Sequence, residues 1–167
     1  MRSRDRYLLL AATLLVLAYA FWFARDKGRI LREGELTLFE LQSYGRRSLL
    51  RGDYLSLLYH AGDALGREEL PPSGYLIFTR DGDGVARFER VQRGREPLTA
   101  GERLIHVRRR RSGGIRDGAI RLGPEQYYIE EGTADRYLNA RYGGLRIDER
   151  GEAVLEGLWD ANRQPIR

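Results

Sequence analysis

The chain contains no cysteine and one lysine, Lys27. Without cysteine there is no disulfide, no thiolate nucleophile and no cysteine-based metal site. That absence leaves the compartment open. Histidine is almost as scarce. His60 and His106 are 46 residues apart and fix no metal geometry. No nucleophile-elbow sequence surrounds Ser43, Ser48, Ser56, Ser73 or Ser112, so a serine triad has no visible frame. No cofactor or metal motif is present, and none is expected. "DGDG" (Asp81–Gly84) starts like a calcium loop but lacks a third ligand and the glutamate at position twelve. It reads as a turn.

What is abundant is arginine. The other 28 basic residues of the 167 are all Arg, and the net charge is +5. Acids alternate with these arginines, so most of the charge reads as solvated surface. The densest run, Arg108–Arg111, falls at a hairpin tip, where it could meet anionic lipid head groups. No aromatic residue is interleaved there as a stacking platform, so nucleic acid is not an expected partner.

One long apolar run exists. Tyr7–Phe23 is 17 residues without charge, behind a basic tail at 1–6. It spans about 26 Å as a helix, enough for a bilayer core. Phe21, Trp22 and Phe23 would form an interfacial aromatic belt. A cleaved signal is the rival reading, because Ala18-Tyr19-Ala20 fits a small-x-small site. Arginines flank both sides of the run, so the positive-inside rule is nearly balanced. A short tail before a first apolar segment reads as a signal-anchor with the rest exported. The expected location is therefore a bacterial inner membrane, single-pass, with a periplasmic C-terminal domain.

Residues 24–34 read as a charged juxtamembrane linker, 35–160 as the exported domain and 161–167 as a tail. Short apolar runs separated by turn signals predict about eight strands, as a barrel or sandwich. Hairpins are expected around "DGDG", "RSGG" and Arg150-Gly151. One short helix is predicted at Thr133–Gly143, capped by Thr133 and ended by Gly143. Tyr137, Ala140 and Arg141 would share its face.

The segment "RGDYLSLLYH" (Arg51–His60) reads as a strand. Alternation places Asp53, Leu55, Leu57 and Tyr59 toward the core and Tyr54, Ser56, Leu58 and His60 away from it. Gly52 permits a sharp start. An inward carboxylate at Asp53 needs donors, for which Arg51, Arg136, Arg141 or free backbone N–H groups are candidates.

Gly52-Asp53-Tyr54, Leu57 and Tyr59 reproduce G-D-Y-x-x-L-x-Y, and the chain resembles the GDYXXLXY family. The segment Tyr127–Leu158 is similar too, through its aromatic pair, its Glu131-Gly132 step, Tyr137 and the Tyr142-Gly143 pair. A P-V-D-P-R-like stretch typical of that family is replaced here by Ser43–Ser48, keeping only Arg47, so a looser turn is expected. The resemblance implies an integral membrane protein with an exported β-rich domain. It also implies a multi-spanning membrane protein as assembly partner. A non-catalytic binding or assembly module is the leading reading. The enzymatic alternative is a hydrolase on a signal-peptidase-like barrel. A Ser-Lys dyad has no lysine outside the membrane-proximal Lys27, so such a hydrolase would use carboxylates such as Asp53 and Glu131. Lipid head-group binding through Arg108–Arg111 is a third. The candidate site residues are Arg51, Gly52, Asp53, Tyr54, Leu57, Tyr59, Glu131, Arg136, Tyr137 and Tyr142.

Overall fold

A computed structural model of the chain describes residues 3–49, 52–59, 73–109, 120–124 and 126–166. Arg51, His60, the 61–72 connection and the 110–119 hairpin tip lie outside the described residues.

Helix α1 covers Ser3–Glu33. Its apolar stretch is unburied and, by length and composition, could cross a membrane. The segment 24–33, expected as a linker, continues the same helix. It does so because its last turns find partners on the β-domain. Ile30 is 1% exposed. Lys27 Nζ lies 3.1 Å from Glu152, and Arg150 lies 3.0 Å from Asp26. Gly34 ends the helix, its N–H donating to Ile30 O at 2.8 Å. A Cβ on Gly34 would meet that same oxygen at 2.4 Å, so only glycine fits this junction.

Nine strands follow among the described residues. They are β1 (Glu35–Leu49), β2 (Gly52–Tyr59), β3 (Ser73–Arg80), β4 (Ala86–Gln92), β5 (Arg103–Arg109), β6 (Ile120–Leu122), β7 (Gln126–Ile129), β8 (Ala140–Ile147) and β9 (Ala153–Asp160). One sheet runs β7-β2-β1-β8-β9 and the other β4-β3-β5-β6. All the strand pairs in them are antiparallel. Two seams join the sheets. Leu38 N–H donates to Gly84 O at 3.0 Å, and His106 N–H donates to Gly151 O at 2.8 Å. The result is a mainly β, nearly closed barrel behind one apolar helix.

Alternation fills it. Phe39, Leu41, Leu55, Leu57, Tyr59 and Leu145 from the first sheet meet Leu76, Phe78, Ile105 and Val107 from the second in one core. Leu38, Val85 and Trp159 form a smaller cluster with Leu36 and Tyr142.

Two expectations change. Ser43–Ser48 is not a loose turn; it is the second half of β1, paired with β2 from Ser43↔Leu58 to Ser48↔Asp53. The pairing strand supplies order that the polar sequence does not advertise. Nor is Thr133–Gly143 one helix. Only Ala134–Tyr137 is helical, as a 3₁₀ turn, and Ala140–Gly143 already belongs to β8. Thr133 makes no side-chain cap, donating its hydroxyl to Glu130 O at 2.7 Å instead. Gly143 is not left-handed. A Cβ there would approach the Tyr59 ring at 2.9 Å, and one on Gly144 would overlap Trp159 at 2.0 Å. The Gly-Gly pair is therefore a flat strand between two aromatic rings, and pairing to β1 and β9 outweighs the local helical pattern.

Candidate functional site

The signature residues are carried by β2, between β1 and β7. Leu55, Leu57 and Tyr59 are buried as alternation requires. Tyr59 donates its hydroxyl to Pro124 O at 3.0 Å and meets Phe39 edge-on, centroids 6.4 Å apart. Tyr54 is buried as well, although it lies on the other face. Its ring sits 5.9 Å from that of Tyr128 on the paired strand. Alternation alone does not foresee that cover.

Asp53 is described through its backbone, which pairs with Ser48 on one side and Ile129 on the other. Glu131 and Arg136 are both exposed. Tyr137 is half-buried, its ring edge-on to Tyr127 at 5.5 Å. Burial pushes the Tyr127 phenol up, and the neighbouring Tyr137 adds to the shift. Tyr142 belongs to the small Leu38–Trp159 cluster, whereas its neighbour Gly143 sits under Tyr59 in the main core. Asp53 and Tyr59 are six residues apart on an extended strand, about 20 Å. The described candidates thus do not gather around one cavity; Arg51 lies outside the described residues.

The turns behave as turns. Asp81 accepts the N–H groups of Val85 at 2.9 Å and Asp83 at 3.1 Å, then Arg87. Those bonds, the Val85 one foremost, hold its carboxyl below the usual range. Asp148 accepts from the N–H groups of Arg150 and Glu152 in the same way.

A cleft of about 850 Å³ opens at the other end of the barrel, where α1 joins it. Arg29, Ile30 and Glu33 of α1 line it with Glu35 and Thr37 of β1, Glu102–Leu104 before and in β5, and Ile147–Arg150. Among the described residues, none of the signature-region candidates lines it. Its charges are organised. Glu35 holds Arg80 at 2.7 Å and Arg103 at 2.9 Å, and the Arg103 bond foremost keeps its carboxyl low. Glu102 accepts both terminal nitrogens of Arg90 and the Thr99 N–H at 2.7 Å. Its carboxyl is lowered to about 2, Arg90 being the main cause. Sequence reasoning had no means of finding this cleft. Its walls come from segments up to 121 positions apart, and the one local hint was the charge density of Asp148–Glu152.

The chain matches the family described as GDYXXLXY protein over residues 16–158. It belongs to the GDYXXLXY family. The matched span starts at Val16, inside the apolar part of α1, so the helix–barrel junction lies within the family match. No curated protein and no solved structure matches the chain. Of the signature side chains that are described, Tyr54, Leu57 and Tyr59 are buried in the barrel, and the cleft lies at the junction.

Proposed function

We propose that this protein is a single-pass, membrane-anchored, non-catalytic binding or assembly module. Its β-barrel stands on the periplasmic face of a bacterial inner membrane, beside a multi-spanning partner. One observation carries the reading: α1 is an unburied apolar shaft whose last turns are locked into the barrel. A soluble helix of this composition would bury its apolar surface. The lock holds the barrel at a fixed attitude to the shaft, which suits a module that presents a surface to a neighbour. Glu131 lies two residues beyond Ile129, the pairing partner of Asp53, but it is exposed and does not line the junction cleft, which favours binding over the carboxylate-hydrolase alternative. Arg108 stands five residues along β5 from Arg103, which lines the cleft beside α1, and this disfavours head-group contact by Arg108 within the same membrane.

Single-cysteine labelling tests the topology cleanly, because the chain has no native thiol. An impermeant maleimide should modify Arg93→Cys but not Arg4→Cys in cells with a permeabilised outer membrane. The reverse pattern overturns the orientation, and release of the protein by alkaline carbonate overturns the anchor. Affinity capture from mild detergent should recover a multi-spanning protein; a lone monomer would count against assembly.

A further inference from the structure

The anchoring role makes no use of the junction cleft, yet its chemistry points to a class of occupant. Its volume, about 850 Å³, lies in the range of small-molecule sites. Ile30, Phe78, Leu98, Leu104 and Ile147 supply apolar wall. Thr37 also lines it and is 2% exposed. The Thr37 hydroxyl bonds to no described residue, yet no fully enclosed side-chain polar atom in the described structure lacks a partner. The hydroxyl is therefore reached from the cleft, where it waits for a polar atom of an occupant.

The rim separates its charges. Arg29 is engaged by Asp26 at 3.3 Å, Arg103 by Glu35, and Arg150 by Asp148 at 2.8 Å. Glu102 is taken by Arg90. Glu33 and Glu149 are exposed and form no ion pair with a described residue. The lining arginines are thus neutralised, while two carboxylates stay open. Arg32, the nearby helix cation, is not part of the lining. An anion entering here meets like charge, whereas a cation meets two free acids.

We propose that the cleft binds an amphiphile headed by an ammonium group. Its apolar body lies on the walls, its ammonium at Glu33 and Glu149, and a polar atom behind the head meets Thr37. Two sources share this chemistry. Arg29–Gly34 lie six to eleven residues beyond Phe23, about 9–16 Å along the helix. On the reading that α1 spans the bilayer, an aminophospholipid head group raised from the leaflet would serve. A soluble amine-bearing amphiphile needs no bilayer at all.

Full-length protein in a non-ionic detergent, titrated calorimetrically with dodecylamine and with dodecanoate, tests the class. Dodecylammonium should bind one to one and about tenfold more tightly than dodecanoate. The double variant Glu33→Gln/Glu149→Gln should lose that preference; both residues are exposed and outside any described ion pair, so the fold stays intact. Thr37→Val should weaken binding severalfold, and Thr37→Ser should restore it. Equal binding of amine and carboxylate, or an unchanged double variant, overturns the proposal. Native mass spectrometry from mixed phosphatidylethanolamine/phosphatidylglycerol nanodiscs identifies the source. Selective retention of the aminolipid, lost in the double variant, assigns the bilayer; dodecylamine binding without that retention assigns a soluble amphiphile. Failure of the maleimide topology test would leave the dodecylamine result untouched, so the two readings fail separately.

Discussion

The two ends of the barrel differ in kind. The end built from β2, β7 and the 3₁₀ turn carries the sequence signature, and its recognisable side chains are rings and leucines in contact with one another. The end where α1 enters carries no signature, and it holds the charge network, the glycine clamp and the cleft. Here the recognisable pattern falls on side chains that pack the barrel and not on those that line the cleft. It need not mark where the molecule meets something else.

That contrast can be broken by substitution, beginning with the core. Leu57→Ala should cost about 2–5 kcal/mol in chemical denaturation, because Leu57 is buried against both sheets. Gly34→Ala should cost about 1–3 kcal/mol of overpacking, confined to the junction. Its readout is a spin-label distance between α1 and the β8–β9 turn, which should broaden while the near-ultraviolet dichroism of the barrel persists. A uniform loss of barrel signal would refute the separation of the two ends. Tyr59→Phe removes the bond to Pro124 O and should cost about 1 kcal/mol, with the ring packing kept.

Smaller effects sharpen the same line. The Glu102 carboxyl is lowered from 4.5 to about 2, so its contribution is present above the unfolded value. That contribution is lost as pH falls from about 4.5 toward 2. The Thr99 amide, which donates to Glu102, should lose hydrogen-exchange protection over that window. Arg90→Ala should shrink the effect, leaving the smaller part that the Thr99 bonds supply. Smallest of all, Lys27→Ala should change stability by less than about 1 kcal/mol, since the Lys27–Glu152 pair is solvent-accessible. Glu131→Gln and Arg136→Ala should stay within about 0.5 kcal/mol; a larger loss would give the signature end a role beyond packing.

Legibility followed the range of the interactions. The "DGDG" and Arg150-Gly151 hairpins were readable because an aspartate closes each turn onto N–H groups two and four residues on. The burial of Leu55, Leu57 and Tyr59 was readable from period two. The helix expected at Thr133–Gly143 failed because Tyr137, Ala140 and Arg141 satisfy a local spacing that β1 and β9 override. The continuation of β1 through Ser43–Ser48 was hidden because its order comes from β2. The boundary drawn after Phe23 followed a change in polarity, whereas the helix ran on to Glu33 because Ile30 is buried at the junction and Asp26 pairs with Arg150, 124 residues away.

Composition and short-range pattern were enough to establish an apolar N-terminal helix, a β-rich domain behind it and the family to which both belong. Those features depend on residues within a few positions of each other, or on amounts alone. Closure of the two sheets at Leu38 and His106, the fixed seat of α1 at Gly34 and the cleft around Thr37 depended on the folded chain. Each unites backbone or side chains from distant segments, and no local pattern encodes which distant segment will arrive.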